Sequence, residues 1–316
     1  MHRNVGALAR LAASIVIAAT AASAQAMAFL PGDSYTSDYS SRTINHYDAS
    51  GKFVDSLVVP SSYGSEVRGL AFGQDHLLYA VTSTGSNFHV IALDQTGHVQ
   101  HTYSGPGYVG GNISSGKITF GADGRFYVAA ANNLVEFKTG TPTGKVIHTA
   151  NQVFDSALLP SGDILELSAY GIDELTADGA FVRAINGTWL VDARGIAYDA
   201  ATNDIYVSML GYSGEFFRLM RLDGTTGKVE KDVNFWYADD LYLTSNDRLL
   251  VGSRTLAPEF FDLDLNPLGA LGTKQQMFVT QAPVAVPEPS TLALFALGML
   301  AVLGVARRRP AGMSTR

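Results

Sequence analysis

The sequence predicts an all-β protein: a β-propeller of four-stranded blades, preceded by an N-terminal signal peptide and followed by a C-terminal transmembrane helix. Three observations predict this class. A unit of about 40 residues recurs through the body of the chain. Each unit holds short strand-like runs separated by turns rich in Asp, Asn and Gly. Apolar runs occupy both ends of the chain, whereas the body lacks the helical period and so excludes a helical solenoid.

The repeat is clearest at the first strand of each unit. Residues 67–72 (Val-Arg-Gly-Leu-Ala-Phe) are echoed by residues 193–198 (Ala-Arg-Gly-Ile-Ala-Tyr), and weaker echoes begin near 116, 153 and 238. This spacing is the length of a propeller blade. Five full units and one blade shared between the chain ends predict six blades, or seven if two units have been merged. Residues 42–58 would supply the outer half of the shared blade, and residues 276–280 its inner strand.

The loose pattern of the units runs from an apolar strand through a tight turn to a Tyr- and Val-rich strand, and then to a strand that is followed by Asp-x-x-Gly in the best examples, at 48–51 and 94–97. This order is similar to NHL-type and related six-bladed propellers over about residues 37–280. The resemblance implies a fold and no particular activity, because proteins of many functions share these motifs. We expect the propeller to occupy residues 29–282, with its aromatic side chains packed between blades.

The N-terminus has the features of a secretory signal peptide. Arg3 and Arg10 precede an apolar run at 11–22, and small residues follow up to Ala26. We therefore predict a signal peptide at residues 1–26 and an exported protein. The chain has no cysteine, so core burial and not disulfide bonding must hold the folded body together.

The body is acidic. Six of the 22 Lys and Arg residues and one of the 29 Asp and Glu residues lie in the terminal segments, which leaves 16 basic against 28 acidic groups and a net charge of −12. A net negative body argues against nucleic acid or anionic lipid as a partner. Simple solubility is the alternative explanation of this charge.

The C-terminal stretch at 283–316 combines three parts. A proline-flanked motif comes first, then an uncharged run at 292–306, and then a basic cluster. A helix of about 15 residues covers roughly 22 Å, so it needs a small extension or a thinned bilayer to span about 30 Å of hydrocarbon. Arginines after the run would hold the C-terminus in the cytoplasm. The residues of the motif and the cluster are Val286, Pro287, Glu288, Pro289, Arg307, Arg308 and Arg309.

This arrangement resembles the PEP-CTERM sorting signal of Gram-negative bacteria. The resemblance implies recognition by an exosortase, a membrane transpeptidase-like protease, with transport through the inner membrane to the cell envelope, cell surface or extracellular matrix. Proteins with this signal often come from species that form exopolysaccharide or biofilms. A plain C-terminal membrane anchor with a proline linker is the alternative.

Charged residues near the start of the inner strands form the candidate binding site. They would lie at the rim of the central channel, where a ring of carboxylates and arginines could bind a sugar or Ca²⁺. The alternative is a solvated rim with local ion pairs, and no catalytic residue or metal-ligand set is predicted. Trp189, just before an inner strand, is a candidate sugar-stacking residue. The predicted rim residues are Glu66, Arg68, Asp155, Asp192, Arg194, Asp239 and Asp240.

Two functions follow from these observations. The first is an exported binding or scaffold protein, processed by an exosortase, with exopolysaccharide or surface proteins as partners. The second is a hydrolase or lactonase that uses channel carboxylates, with or without Ca²⁺; no cofactor is predicted. Lactonase-type propellers place acidic ligands around a channel metal, but this sequence matches no diagnostic motif of theirs.

Overall fold

The computed structural model describes residues 29–38, 40–83, 87–109, 116–121, 123–185, 190, 192–210 and 217–283. These residues fall within one compact unit, Met1–Pro283. The predicted signal peptide, Trp189 and the predicted sorting segment from Val284 onward lie outside the described residues. Where the chain is described, no helix has the length and apolar character needed to span a bilayer.

The described chain forms strands and one 3-10 turn at Ser61–Tyr63. The strands are β1 (Ser34–Ser37), β2 (Thr43–Tyr47), β3 (Phe53–Val58), β4 (Val67–Phe72), β5 (Leu78–Ser83), β6 (Asn87–Leu93), β7 (Val99–Pro106), β8 (Ile118–Phe120), β9 (Arg125–Ala130), β10 (Asn133–Lys138), β11 (Thr141–Thr149), β12 (Val153–Leu158), β13 (Ile164–Ser168), β14 (Gly171–Leu175), β15 (Phe181–Ala184), β16 (Ala193–Asp199), β17 (Asp204–Met209), β18 (Arg218–Asp223), β19 (Val229–Asn234), β20 (Ala238–Leu243), β21 (Arg248–Ser253), β22 (Glu259–Asp262), β23 (Pro267–Ala270) and β24 (Phe278–Gln281).

These strands form six blades of four antiparallel strands, the smaller of the two predicted numbers, and one parallel pair between Ser104 in β7 and Thr143 in β11 joins blades 1 and 2 into an eight-stranded sheet. Blades 1 to 5 are β4–β7, β8–β11, β12–β15, β16–β19 and β20–β23; blade 6 combines β24 with β1, β2 and β3. The inner strands contact one another in the cyclic order β4, β8, β12, β16, β20, β24 and back to β4. The blades therefore close into a propeller, which removes the free inner edges that an open sheet would expose.

Two of the three hairpin turns in a blade account for the Asp, Asn and Gly pattern of the sequence. The inner turns of blades 1 to 5 each place one residue in the left-handed region: His76, Gly124, Gly162, Asn203 and Asp247. In the outer turns of four blades an aspartate accepts backbone N–H groups. Asp48 accepts from Ser50 (2.9 Å) and Lys52 (3.1 Å); the Ser50 hydroxyl and these N–H groups lower the pKa of Asp48. Equivalent aspartates are Asp94, Asp223 and Asp262.

Blade 6 joins the two ends of the described chain. As predicted, its inner strand is β24 and its outer strands are β2 and β3, while β1 lies between them and was not predicted. The Gly32 N–H donates to the Ala282 carbonyl (3.0 Å), and the Ala282 N–H donates to the Asp33 carbonyl (2.8 Å). His46 contacts the carboxylates of Asp33 (2.7 Å) and Asp55 (2.9 Å). The backbone bonds of Ala282 hold β24 against β1, so ring closure depends on both ends of the described chain.

The core consists of apolar layers between neighbouring blades. One layer, between blades 1 and 2, contains Tyr79, Tyr103, Phe126 and Phe137, whose ring centroids lie 4.9 to 6.2 Å from at least one neighbour in the set. Further layers follow around the ring. The aromatic residues of these layers therefore pack between blades, as the sequence predicts. Their burial stabilises a chain that has no disulfides.

Glu166 in β13 is an ionisable residue inside one of these layers. It is fully buried, it pairs across strands with Asp173, and neither of its carboxylate oxygens accepts a hydrogen bond from the described residues. The Nε2 atom of His148 lies 3.7 Å from its Oε1. Burial, and after it the Asp173 carboxylate, raise the pKa of Glu166 from 4.5 to about 8. The folded protein therefore holds a proton on Glu166 that the unfolded chain releases.

We expect Glu166→Gln to flatten the pH dependence of stability. Since the folded pKa lies above the unfolded one, the folded state gains stability at low pH and loses it as pH rises from about 4.5 through about 8. Gln is isosteric with the protonated acid and removes this dependence. Urea unfolding at pH 5.5, 7 and 8.5 should show the variant more stable than the wild type at pH 8.5, by about 1–3 kcal/mol. The exposed Glu230→Gln is the control; if the wild type and Glu166→Gln gave parallel curves, the assignment would be wrong.

Candidate functional site

The central channel is lined by the inner strands. In blades 1, 3, 4 and 5 the inner strand carries a register shift near its start, where an extra residue enters the strand. Aligned on the paired residues beyond the shift, the third residue before Phe72, Leu158, Tyr198 and Leu243 occupies an equivalent position in each of these strands, and Lys117 holds the same place before Phe120 in blade 2. We call these five positions the central ring: Gly69, Lys117, Asp155, Gly195 and Asp240.

Lys117 spans the channel within this ring. Its ammonium contacts Asp155 of the next blade (3.4 Å) and Asp240 of the opposite one (3.1 Å), and donates to the Arg194 carbonyl (2.5 Å). All three residues are buried, with 5 % exposure or less. One cation therefore connects blades 2, 3, 4 and 5.

The two carboxylates also join neighbouring inner strands. Asp155 accepts from the N–H groups of Ser156 (2.8 Å) and Ile196 (2.9 Å), which belong to blades 3 and 4. Asp240 does the same for blades 5 and 6, with Leu241 (3.0 Å) and Val279 (3.0 Å). These N–H groups point into the channel, where no further strand pairs with them. The carboxylates thus satisfy the inner edges of four strands.

Burial raises the pKa values of Asp155 and Asp240 even though Lys117 opposes the change. Asp240 raises the pKa of Asp155 further, because two carboxylates share one ammonium. The cluster of Lys117, Asp155 and Asp240 is therefore held together by the cation: without it, two buried acids would face each other.

The structure corrects the alignment of the predicted rim residues. The sequence placed Asp155 level with Arg68 and Arg194; the strand pairing places Phe154 there and moves Asp155 one residue further, level with Gly69 and Asp240. The bulge supplies the extra residue, and no residue type marks it. Lys117 was not predicted as a channel residue. Its only distinguishing feature in the sequence is that it follows Gly116 at the start of a repeat unit.

The other predicted rim residues form local ion pairs. Arg68 contacts Glu66 (2.9 Å), and Arg194 contacts Asp192 (3.3 Å) while its guanidinium lies 4.2 Å from the Phe154 ring centroid. Asp239 pairs with Arg254, another residue that the sequence did not single out, and also accepts its backbone N–H (2.9 Å). Burial lowers the pKa of Arg194. Five of the seven predicted residues are thus paired near the starts of their strands, and Asp155 and Asp240 meet at the centre.

A cavity of about 380 Å³ extends from the cluster along the inner strands to their C-terminal ends. Lys117, Asp155 and Asp240 contribute to its wall at one end. At the other end the walls are half-buried aromatic and aliphatic residues: Phe72, Phe120, Leu158, Tyr198 and Leu243. The size suits a small ligand or a few water molecules.

The cluster does not fit the calcium site that the sequence left open. Calcium takes six to eight oxygen ligands, whereas the Asp155 and Asp240 oxygens already accept bonds from an ammonium and four amides. Across the described part of the chain, no group of three or more His, Cys, Asp or Glu residues could hold a metal.

Residues 285–309 match the sequence profile of the PEP-CTERM protein-sorting motif. The chain carries a PEP-CTERM sorting signal. The match covers the proline-flanked motif, the apolar run and the arginine cluster, so this prediction is confirmed. A PEP-CTERM signal indicates an exported protein that is sorted at the cell envelope, and it implies processing by an exosortase. A search of curated protein sequences finds no match to the chain.

Solved structures similar to this PEP-CTERM protein are propellers. The crystal structure of a nidogen/laminin complex matches with a TM-score of 0.60 and 12% identity, over 79% of this chain and 98% of that one. A Bacteroides caccae protein of unknown function gives 0.58 and 12%, with the same coverage. The PQQ-bound aldose sugar dehydrogenase of Streptomyces coelicolor gives 0.55 and 17%, over 71% and 86%. At these identities the likeness supports the fold alone.

Proposed function

We propose that this chain is an exosortase-processed propeller that acts at the cell surface or in the extracellular matrix as a binding or scaffold protein. The observation that carries the proposal is the sorting signal at 285–309, which follows almost directly on a propeller whose last strand ends at Gln281.

The segments would act in sequence. The signal peptide starts export, and the run at 292–306 stops in the membrane with the arginine cluster on the cytoplasmic side. Pro287 and Pro289 donate no backbone hydrogen bonds and favour extended conformations before them. The exosortase then recognises the motif around Glu288 and separates the propeller from its anchor.

The buried channel carboxylates are not placed for acid–base catalysis. A general acid or base must offer an oxygen to a substrate, and both oxygens of Asp155 and of Asp240 are engaged by Lys117 or by backbone amides. No observation on the described residues favours the lactonase alternative.

Replacement of the sorting motif should block release. In a host that carries an exosortase, we expect Pro287→Ala/Glu288→Ala/Pro289→Ala to leave the full-length chain in the membrane fraction, because the protease loses its recognition segment. The wild type should appear as a shorter product outside the membrane. Cell fractionation with mass spectrometry of the product C-terminus measures both. Glu230→Ala, which changes an acidic residue of the propeller, is the matched control.

Two outcomes would contradict the proposal. One is equal release of the motif variant and the wild type, since the motif would then have no role in sorting. The other is a released wild-type protein that stays free in the medium and binds neither cells nor matrix, since a binding or scaffold role requires retention.

A further inference from the structure

The loops at one end of the propeller carry exposed aromatic side chains. We call this end the N-terminal face, because the inner strands begin there; the connections from the second to the third strand and from one blade to the next also lie there. Outside the outer strands β3 and β15, the aromatic residues with more than a third of their surface exposed are on this face in the described chain: Tyr108, Tyr170 and Trp236.

Trp236 is held as a platform. It lies in the connection from blade 4 to blade 5, its indole stacks on Phe217 with centroids 4.7 Å apart, and 57 % of its surface remains exposed. Its carbonyl accepts the Ser253 hydroxyl (3.0 Å). The next residue, Tyr237, has a φ of +54° and lies 4.4 Å from Phe217. Gln152 and Asp192 adopt the same conformation directly before β12 and β16, so this backbone turn is shared by the blade connections and fixes the chain beside Trp236.

The fold does not need this exposed indole for packing. Phe235, next in the chain, already fills the interblade layer between blades 4 and 5 and contacts Phe261. An exposed, rigid aromatic ring with one open face is the group that stacks on an apolar ligand face and loses little conformational entropy on binding. The pyranose ring of a sugar has such a face.

The charges beside the platform select against charged ligands. Arg218 pairs with Asp232 on the neighbouring strands β18 and β19, and Arg254 pairs with Asp239 at the start of β20. A polyanion would have to break these pairs and approach a body with a net charge of −12. A neutral ligand at Trp236 would instead meet an aromatic ring surrounded by charged groups that are already paired with one another. An aromatic centre with a polar rim is the usual composition of a binding interface.

We propose that the Trp236 platform, together with Tyr170 and Tyr108 on the same face, binds a neutral polysaccharide chain. The three aromatic residues belong to different blades, so one small sugar cannot contact them all, whereas a polymer crossing the face can. This inference rests on the proposed function as a surface or matrix binding protein and names its ligand class.

The chain's two tryptophans permit a direct test. Trp189→Phe leaves Trp236 as the sole tryptophan of the full chain. We expect cellohexaose, laminarihexaose or maltohexaose to shift its emission to shorter wavelength in a saturable way, because the sugar excludes water from the indole. Affinity electrophoresis in gels that contain the parent glucan should show Trp236→Ala binding at least about tenfold more weakly than the wild type. Phe53→Ala, which removes an exposed aromatic ring from β3, should bind as the wild type does.

The results separate this inference from the proposed function. If the released wild-type protein binds cells or matrix but no neutral glucan, or if Trp236→Ala binds the glucan as tightly as the wild type, the platform assignment is wrong and the surface role stands. If Trp189→Phe abolishes glucan binding in the gel while Trp236→Ala keeps it, the site lies elsewhere. Loss of all cell and matrix retention in the wild type would instead overturn the proposed function. Matched circular dichroism spectra of the variants exclude unfolding as the cause.

Discussion

Lys117→Met should unfold the propeller at a temperature lower by on the order of 10 °C. The substitution keeps an unbranched chain that matches lysine as far as Cε and removes the ammonium between Asp155 and Asp240, which leaves two buried carboxylates without a cation. Loss of one partner from a buried ion pair lowers the free energy of unfolding by about 3–5 kcal/mol. Thermal and urea unfolding of the full chain measure this loss. Lys274→Met, at an exposed lysine, should change stability by less than about 0.5 kcal/mol.

The destabilisation by Lys117→Met should depend on pH. Lys117 lowers the pKa of both carboxyl groups, and burial raises it; without the lysine both pKa values rise further. A raised folded pKa means that stability is present at low pH and is lost as pH rises through that pKa. The variant should therefore lose less stability at pH 5 than at pH 8. Large but equal losses at both pH values would contradict the titration of these carboxyl groups, whereas a loss as small as that of Lys274→Met would show that the cluster does not hold the blades together.

Much of the fold follows from local sequence, and the central cluster does not. Strand runs and Asp-x-x-Gly turns repeat along the chain, so each blade is specified by neighbouring residues. The segment Ser34–Ser37 escaped prediction because its residues Ser, Tyr, Thr and Ser lack aliphatic alternation; β2 and β24 hold it on either side and make it a strand. Pairing with distant segments overrode its weak local preference.

The contacts of the channel cluster are even harder to predict from local sequence than the strand β1. Lys117 meets Asp155 and the Arg194 carbonyl, which are 38 and 77 residues away in the chain, and nothing near Lys117 in sequence indicates these partners. The offset of Asp155 by one residue depends on a bulge, and a one-residue shift moves a side chain from the rim to the channel centre. The sequence identified Asp155 and Asp240 as channel carboxylates, but only ring closure brings them together.

Gly69→Ala should be the second strongly destabilising substitution. Gly69 has a φ of +22°, and an added Cβ would lie 1.9 Å from the Gly116 carbonyl oxygen and 2.7 Å from the Lys117 Cα. These are backbone atoms of the adjacent blade, so the two inner strands must separate. We expect a loss of about 2–5 kcal/mol. Gly162→Ala is the matched control: it has a φ of +90° and no atom within 4 Å of its added Cβ, so it should lose only about 1 kcal/mol from backbone strain.

The overlap at Gly116 lies directly beside Lys117, so a double variant can test whether the two sites stabilise the ring together. Any movement that relieves the contact at Gly116 also moves Lys117, and with it the ammonium that connects four blades. The double variant Gly69→Ala/Lys117→Met should then be less destabilised than the sum of its single variants, with a coupling of about 0.5–3 kcal/mol. Gly162→Ala combined with Lys117→Met should be additive. Additivity in both pairs would mean that the close approach of blades 1 and 2 and the channel cluster stabilise the ring independently.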